Sequence, residues 1–335
     1  MKKIMNNFVV TVFGGSGFIG RHLVRNLIAN GATVRVAVRD PEDARYLMTM
    51  GDVGQVVAFA VNVRDEATLK AAVNGAQAVV NLVGVLSERG RQNFQNLHTE
   101  GAVNVAKAAA AAGVQILVHI SAVGANAGSA SRYAKTKIAG EIAVKSEFPD
   151  AIIIRPSVVF GPEDGFFNLF AGLARFTYFL PVFRCPAFPR LTFFRDGEAF
   201  KIDFYGDGGT RFQPVYVGDV AAAICSAIDK KSAKGQVYEL GGPVVYSSVD
   251  IMNLILKNIG RKRILLPVPF WYLKVVGWLL QKFPAPLLTY DQVMQLKVDN
   301  IVSSKAKTLA DLGIYATPAE AILPKYLARF KKAGH

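Results

Sequence analysis

The chain has 335 residues, 51% of them hydrophobic, and a formal net charge of +14 at pH 7. That length can bury a full core and suits one large α/β domain with a smaller lobe, and so apolar a composition excludes a disordered chain. Two cysteines, Cys185 and Cys225, and four histidines make neither a disulfide framework nor a metal-ligand spacing, so no metal site is expected.

The first seven residues are charged but lack the apolar stretch of a secretory or transit leader, which points to a reducing cytoplasm. An apolar run over 8–13 then reads as a strand and leads directly into Gly14, Gly15, Ser16, Gly17, Phe18, Ile19 and Gly20, with a helix predicted to 29. Glycines at positions 14, 17 and 20 tighten the turn, let backbone approach a pyrophosphate and pack the helix close to the strand. The helix N-terminus adds free N–H groups and partial positive charge. A glycine pattern alone says little in a chain with 30 glycines, but its place between strand and helix makes this a dinucleotide-binding turn.

Further strands are predicted at 33–38, 55–59, 78–83, 116–120 and 152–154, with helices over 66–73, 93–112 and 131–145 between them. Such alternation is the sequence form of an α/β fold, a Rossmann-type doubly wound parallel sheet with helices on both faces. Arg39 ends the second strand, where a Rossmann fold meets the adenosine ribose. An arginine there suits the 2′-phosphate of NADPH, and NAD(H) is the less favoured ligand; Asp40, followed by Pro41, reads as a turn residue. Asn62 and Val63 after the third strand, and Leu82, Val83 and Gly84 after the fourth, fall at the strand ends where ligands of such sheets bind. Ser121 follows the fifth strand. Tyr133 and Lys137 stand four apart on the next helix, hence on one face, where an ammonium can lower a phenol's pKa and hold a ribose.

Arg155, Pro156 and Val159 follow the sixth strand; after Gly161 and Pro162 the pattern turns irregular, and it is rich in aromatics, proline and arginine from 179 to 212. A strand and helix resume over 213–230, with Asp219 expected as the cap. The domains expected are thus 1–162, a nucleotide-binding domain with a return at 213–230, and 163–335, a basic and apolar lobe. From 251 to the end, thirteen Lys and Arg face four carboxylates. No nucleic-acid module accompanies that charge, so nucleic acid is not expected as a partner; an anionic membrane surface or a large protein partner fits better. Residues 264–280 read ILLPVPFWYLKVVGWLL, too short and broken for a membrane span. A helix over 270–283 would carry Lys274 and Gln281 on one narrow polar stripe. A helix with so little polar face is buried, lies in a bilayer interface, or docks on a partner.

Together these segments resemble the short-chain dehydrogenase/reductase superfamily in its extended or atypical branch. The resemblance implies adenine contacts from Asn62 and Val63 and a nicotinamide lined by the backbone of Pro156 and Val159. In a reductase of that branch Tyr133 would protonate a carbonyl oxygen that Ser121 steadies, with Lys137 on the ribose. Asn62 stands where the family usually has Asp, and Phe160 where it usually has Tyr. The strings TVFGGSGFIGRHLV, VVNLVG, FPDAIIIRPSVVFGPED, QPVYVGDVA and DLGIYATP resemble more closely the alpha-subcomplex subunit 9 family of respiratory complex I, in a bacterial form. That likeness runs from about residue 8 to 327 and is weakest between 181 and 206.

This closer resemblance implies an accessory subunit of NADH:ubiquinone oxidoreductase. Such a subunit binds NADPH as a structural ligand, turns over no substrate and sits with the peripheral-arm subunits near the quinone and membrane junction. The expected place is the cytoplasmic side of the bacterial inner membrane, with residues 264–288 facing an anionic membrane surface or membrane-arm subunits. The alternative is an NAD(P)H-dependent reductase or nucleotide-sugar epimerase working through Ser121, Tyr133 and Lys137. Those residues do not separate the two, because Tyr133 and Lys137 also bind the ribose in a protein without catalysis.

Overall fold

The computed structural model describes residues 5, 8–90, 92–185, 190–192, 201–284 and 286–332. Two compact units share the chain. The first comprises residues 1–156, 217–241 and 302–316. It starts with β1 (Val9–Phe13), α1 (Phe18–Ala29), β2 (Thr33–Val38), α2 (Arg45–Met48), β3 (Val56–Ala60), α3 (Glu66–Val73) and β4 (Ala78–Asn81). After these come α4 (Gly101–Ala111), β5 (Ile116–Ile120), α5 (Arg132–Glu147) and β6 (Ile152–Pro156). The strands form one parallel sheet in the order Val237–Leu240, β6, β5, β4, β1, β2, β3.

The central strands are buried, β4 along its whole length and β1 from Val10 to Phe13, which is why β1 reads as a continuous apolar run instead of an alternating one; the edge strand β3 leaves Val57 exposed. Phe13 joins Leu69, Ala72, Val105, Leu117 and Ile153 in the core beneath α3, α4 and α5. On that same side the Thr11 hydroxyl, fully buried, donates to the Ala72 carbonyl at 2.7 Å. Val10 and Val12, of opposite parity, point to the other side, where α1 packs on the helix Val217–Asp229. The chain leaves β1 toward β2 and β3, then crosses to β4 on the other flank. This reversal opens a crevice at the carboxyl ends of β1 and β4.

Three sequence expectations are corrected here. The helix expected over 93–112 is a π-helical turn, Gln95–Glu100, followed by α4, so its first residues are wound differently from a straight α-helix. Asp219 does not stand at the N-cap position: that helix begins at Val217 and places Asp219 within the first turn. The first unit ends at Pro156 and not at 162, and it takes back 302–316, where Ser303 N–H donates to Glu239 Oε2 at 2.9 Å.

The second unit comprises 157–216, 242–301 and 317–335. Its core gathers Phe160, Phe167, Phe170, Ile251, Ile255 and Leu323, with the helices Phe167–Phe176, Ser248–Ile259 and Ala319–Leu327 around them. Buried Asp164 accepts from the backbone N–H groups of Gly161, Phe167 and Asn168 and from the Tyr326 hydroxyl, so its side chain starts one helix and ties it to another. The strands Phe179–Phe183 and Ile264–Val268 pair in parallel, and the helix Phe270–Leu280 follows, ending three residues earlier than expected. Of that helix only Leu273 and Gly277 are buried. In the weakly matching stretch between 181 and 206, residues 186–189 and 193–200 lie outside the described residues. No described helix is long and apolar enough to cross a membrane.

Candidate functional site

A cavity of about 410 Å³ opens at the crevice between β1 and β4. Its floor is the glycine turn, with Gly14, Ser16 and Gly17 lining it. Gly14 has φ +76°, a left-handed conformation that glycine takes without strain. At Gly20 a β-carbon would stand 2.4 Å from the Gly14 carbonyl oxygen, so only glycine lets α1 close on the turn. The Ser16 carbonyl is held from outside by the Tyr46 hydroxyl at 3.0 Å and by Arg21 Nη2 at 3.4 Å. The turn is thereby set before any ligand arrives.

The walls come from the ends of the neighbouring strands. Arg39 lies in the loop after β2, Asn62, Val63 and Arg64 after β3, and Leu82, Val83, Gly84, Val85, Arg89 and Gln92 after β4. Asn62 Oδ1 accepts from the Arg64 backbone N–H at 3.1 Å, which leaves the Asn62 amide nitrogen directed elsewhere. Asp43 is the one carboxylate among the lining residues, against guanidinium groups at Arg39, Arg64 and Arg89. Such a rim suits an anionic ligand.

Behind Gly84 lies a buried polar cluster. A β-carbon at Gly84 would stand 3.2 Å from Lys137 Nζ and 3.4 Å from His98 Nε2, so this glycine leaves both groups room to face the cavity wall. Lys137 is buried, donates to the Ile120 carbonyl at 3.2 Å, and has its pKa pulled down to about 8 by burial, against the opposing pull of Glu141. His98 Nε2 accepts from the Val85 N–H at 3.1 Å, so that nitrogen carries no proton; the remaining proton then sits on Nδ1, facing Thr136 Oγ1 at 3.2 Å. Burial, then Lys137 and His119, push the His98 pKa down to about 3. The His98 ring stacks on Phe94 and meets Tyr133 edge-on, with centroids 5.3 and 5.2 Å away. Lys137 Nζ lies 5.8 Å from the Tyr133 ring centre.

The charge of Lys137 is balanced along a line of buried ions. Glu141, one turn further along α5, receives a two-pronged pair from Arg155 at 2.8 and 2.7 Å, and Arg155 reaches Glu239 at 3.2 Å. Glu141, Arg155 and Glu239 are paired directly and Lys137 feels the charge of Glu141, an alternation of signs that lowers the cost of burying charge. Ser121 Oγ and both ring nitrogens of His119 are buried without a hydrogen-bond partner among the described residues.

Of the residues singled out from sequence, Gly14, Ser16, Gly17, Arg39, Asn62, Val63, Leu82, Val83 and Gly84 line the cavity. Gly15 faces β2 instead, where a β-carbon would meet Val36 at 2.8 Å, and Phe18, Ile19 and Gly20 belong to the start of α1. Ser121, Tyr133 and Lys137 stand outside the lining, with Lys137 against Gly84. Pro156 ends β6 away from the lining, and Val159 belongs to the second unit. Sequence reasoning missed Asp43, Arg64, Arg89, Gln92 and His98. No periodic pattern marks residues on irregular loops, and a lone histidine at the start of an expected straight helix gives no signal. Among the described residues no group of three or more His, Cys, Asp or Glu could hold a metal ion.

Comparison with known proteins agrees with this architecture. The NAD dependent epimerase/dehydratase family model matches residues 10–241. NADH dehydrogenase [ubiquinone] 1 alpha subcomplex subunit 9, mitochondrial, from Arabidopsis thaliana is 33% identical over 98% of this chain and 80% of its own length. The Mus musculus protein of that name is 33% identical over 94% of this chain and 78% of its own. Among solved structures, the Escherichia coli NADPH-dependent quinone oxidoreductase QOR2 complexed with NADPH superposes with a TM-score of 0.70 at 18% identity, covering 96% of this chain and 99% of that one; this likeness shows the fold. The chain therefore belongs to the NAD dependent epimerase/dehydratase family and, within it, to the family of alpha-subcomplex subunit 9 of the NADH dehydrogenase [ubiquinone] complex.

Proposed function

We propose that this chain is an accessory subunit of an NADH:quinone oxidoreductase that holds NADPH as a structural ligand and turns over no substrate of its own. The observation that carries the reading is the likeness to alpha-subcomplex subunit 9 proteins along nearly the whole chain, second unit included. The cavity supplies the ligand side of the reading. The glycine turn takes the pyrophosphate, and Arg39, exposed at the rim, pairs with the 2′-phosphate that distinguishes NADPH from NADH. Asn62 and Val63 border the adenine. Lys137, with Tyr133, holds the nicotinamide ribose, while Pro156 supplies backbone to the same end of the ligand.

The second unit supplies the docking side. Trp271, Tyr272, Val275, Trp278 and Leu279 are each about half exposed or more along one short helix, which buries Leu273 and Gly277 and packs Phe270 against the core of its unit. Lys282 Nζ lies 3.9 Å from the Trp278 ring centre, and desolvation first, then the neighbouring Lys274, lowers the Lys297 pKa. An apolar helix flanked by lysines fits the surface of an anionic bilayer. We place the chain on the cytoplasmic side of the bacterial inner membrane, beside the peripheral arm of the complex.

A reductase or epimerase reading draws on Ser121, Tyr133 and Lys137, but Tyr133 and Lys137 serve a held cofactor equally well. The two readings part in one experiment: membranes dissolved in mild detergent are resolved on a native gel. Migration of this chain with NADH:quinone oxidoreductase activity is the expected result, and recovery only as a free protein would overturn the proposal.

A further inference from the structure

The loops after β2, β3 and β4 each bring one arginine to the cavity: Arg39, Arg64 and Arg89. Arg39 is accounted for by a 2′-phosphate, and Arg64 is engaged with Asn62, its Nε donating to Oδ1 at 3.4 Å. Among the described residues the Arg89 side chain has no such local partner. Its backbone is pinned in a tight turn, Arg89 N–H to Gln92 carbonyl and Gln92 N–H to Arg89 carbonyl, both at 2.9 Å. Residues paired across such a bridge direct their side chains to the same side, and Arg89 and Gln92 both line the cavity.

The residue before Arg89 explains why the turn stays where it is. Glu88 has one oxygen paired with Arg132 Nη1 on α5 at 2.9 Å and the other accepting the Phe94 backbone N–H at 2.9 Å. Both carboxylate oxygens are thus engaged, and Glu88 is not among the lining residues, so it does not cancel the charge of Arg89. Phe94 in turn stacks on His98, whose Nε2 fixes Val85 at the other end of the same loop. The loop is tied at both ends to α5 and to the π-helical turn, and Arg89 projects from it into the site.

We infer that Arg89 is a binding residue for the pyrophosphate of the dinucleotide, and that Glu88 is the positioning residue that keeps it there. Arg89 and the glycine turn line the same cavity, so the pyrophosphate is held by backbone N–H groups and a guanidinium together. This rests on the reading of the cavity as a dinucleotide site. It goes beyond that reading by naming the contact that both NADPH and NADH share and that governs how long either stays bound.

The test measures release of NADPH and of NADH from the full-length protein by stopped-flow displacement, following nicotinamide fluorescence. Arg89→Gln should speed release of both nucleotides by roughly ten- to a hundredfold, the scale of one charge-assisted hydrogen bond. Arg39→Gln should speed release of NADPH and leave NADH unchanged, which separates a pyrophosphate contact from a 2′-phosphate contact. Glu88→Gln should speed release of both nucleotides while the melting temperature of the ligand-free protein stays near the wild-type value. Arg89→Lys, which keeps charge but loses the fork, should fall between wild type and Arg89→Gln. Wild-type release rates in Arg89→Gln would overturn the inference, as would an effect confined to NADPH. If the wild-type protein binds neither nucleotide, the dinucleotide reading itself fails, a result distinct from either of these.

Discussion

Lys137 is the residue at which ligand binding and pH meet. Its folded-state pKa of about 8 lies below the ordinary 10.5 because burial disfavours the ammonium. Between those two values the unfolded chain holds the proton that the folded chain has lost, so ligand-free stability rises as pH rises from 8 toward 10. A ribose held by the ammonium works in the opposite direction, and dinucleotide affinity falls over the same interval. The increase in melting temperature given by saturating NADPH should therefore shrink between pH 7.5 and 9.5, and the shrinkage should vanish in Lys137→Met. An increase that stays constant across that range in the wild type would show that the ammonium does not hold the ligand. His98 shows why part of this site was hidden in the sequence. It acts through Val85 thirteen residues away and sits on a π-helical turn that a straight-helix reading does not provide. The line from Glu141 to Arg155 to Glu239 joins residues 14 and 84 apart, separations at which no local pattern operates.

At the scale of elements, β1 and its glycine turn were legible because strand, turn and helix are contiguous and each needs its own residue type: branched apolars, glycines, then an amphipathic run. The helix Phe270–Leu280 was legible as a helix but not in its placement. Its composition fits burial and surface docking equally, and only the structure shows Trp271 69% and Trp278 51% exposed. That exposure makes the helix testable without damaging the fold. The pair Trp271→Ser and Trp278→Ser should leave the melting temperature nearly unchanged and reduce co-sedimentation with vesicles rich in anionic lipid by about tenfold or more, since each large aromatic in an interface contributes substantially. Wild-type chain should bind anionic vesicles better than neutral ones through Lys274, Lys282 and Lys297. Equal binding to both, or no effect of the double substitution, would mean that a protein surface covers this helix.

For the whole molecule, the chain brings together a Rossmann-type unit with a cavity at its glycine turn and a basic second unit that exposes apolar surface. The parallel sheet was readable from its alternating pattern, whereas the unit boundaries were not. Segment 302–316 returns to the first unit through hydrogen bonds such as Ser303 to Glu239, which nothing in its own composition announces. In the proposed function NADPH is held as part of a larger assembly and not consumed. The most direct measurement is the NADH:quinone oxidoreductase activity, per milligram of membrane protein, of cells whose only copy of this chain carries Gly20→Val, a change that blocks closure of α1 on the turn. The account predicts loss of bound NADPH from the chain together with a parallel loss of assembled complex and its activity. Full activity in membranes whose chain carries no NADPH would contradict it.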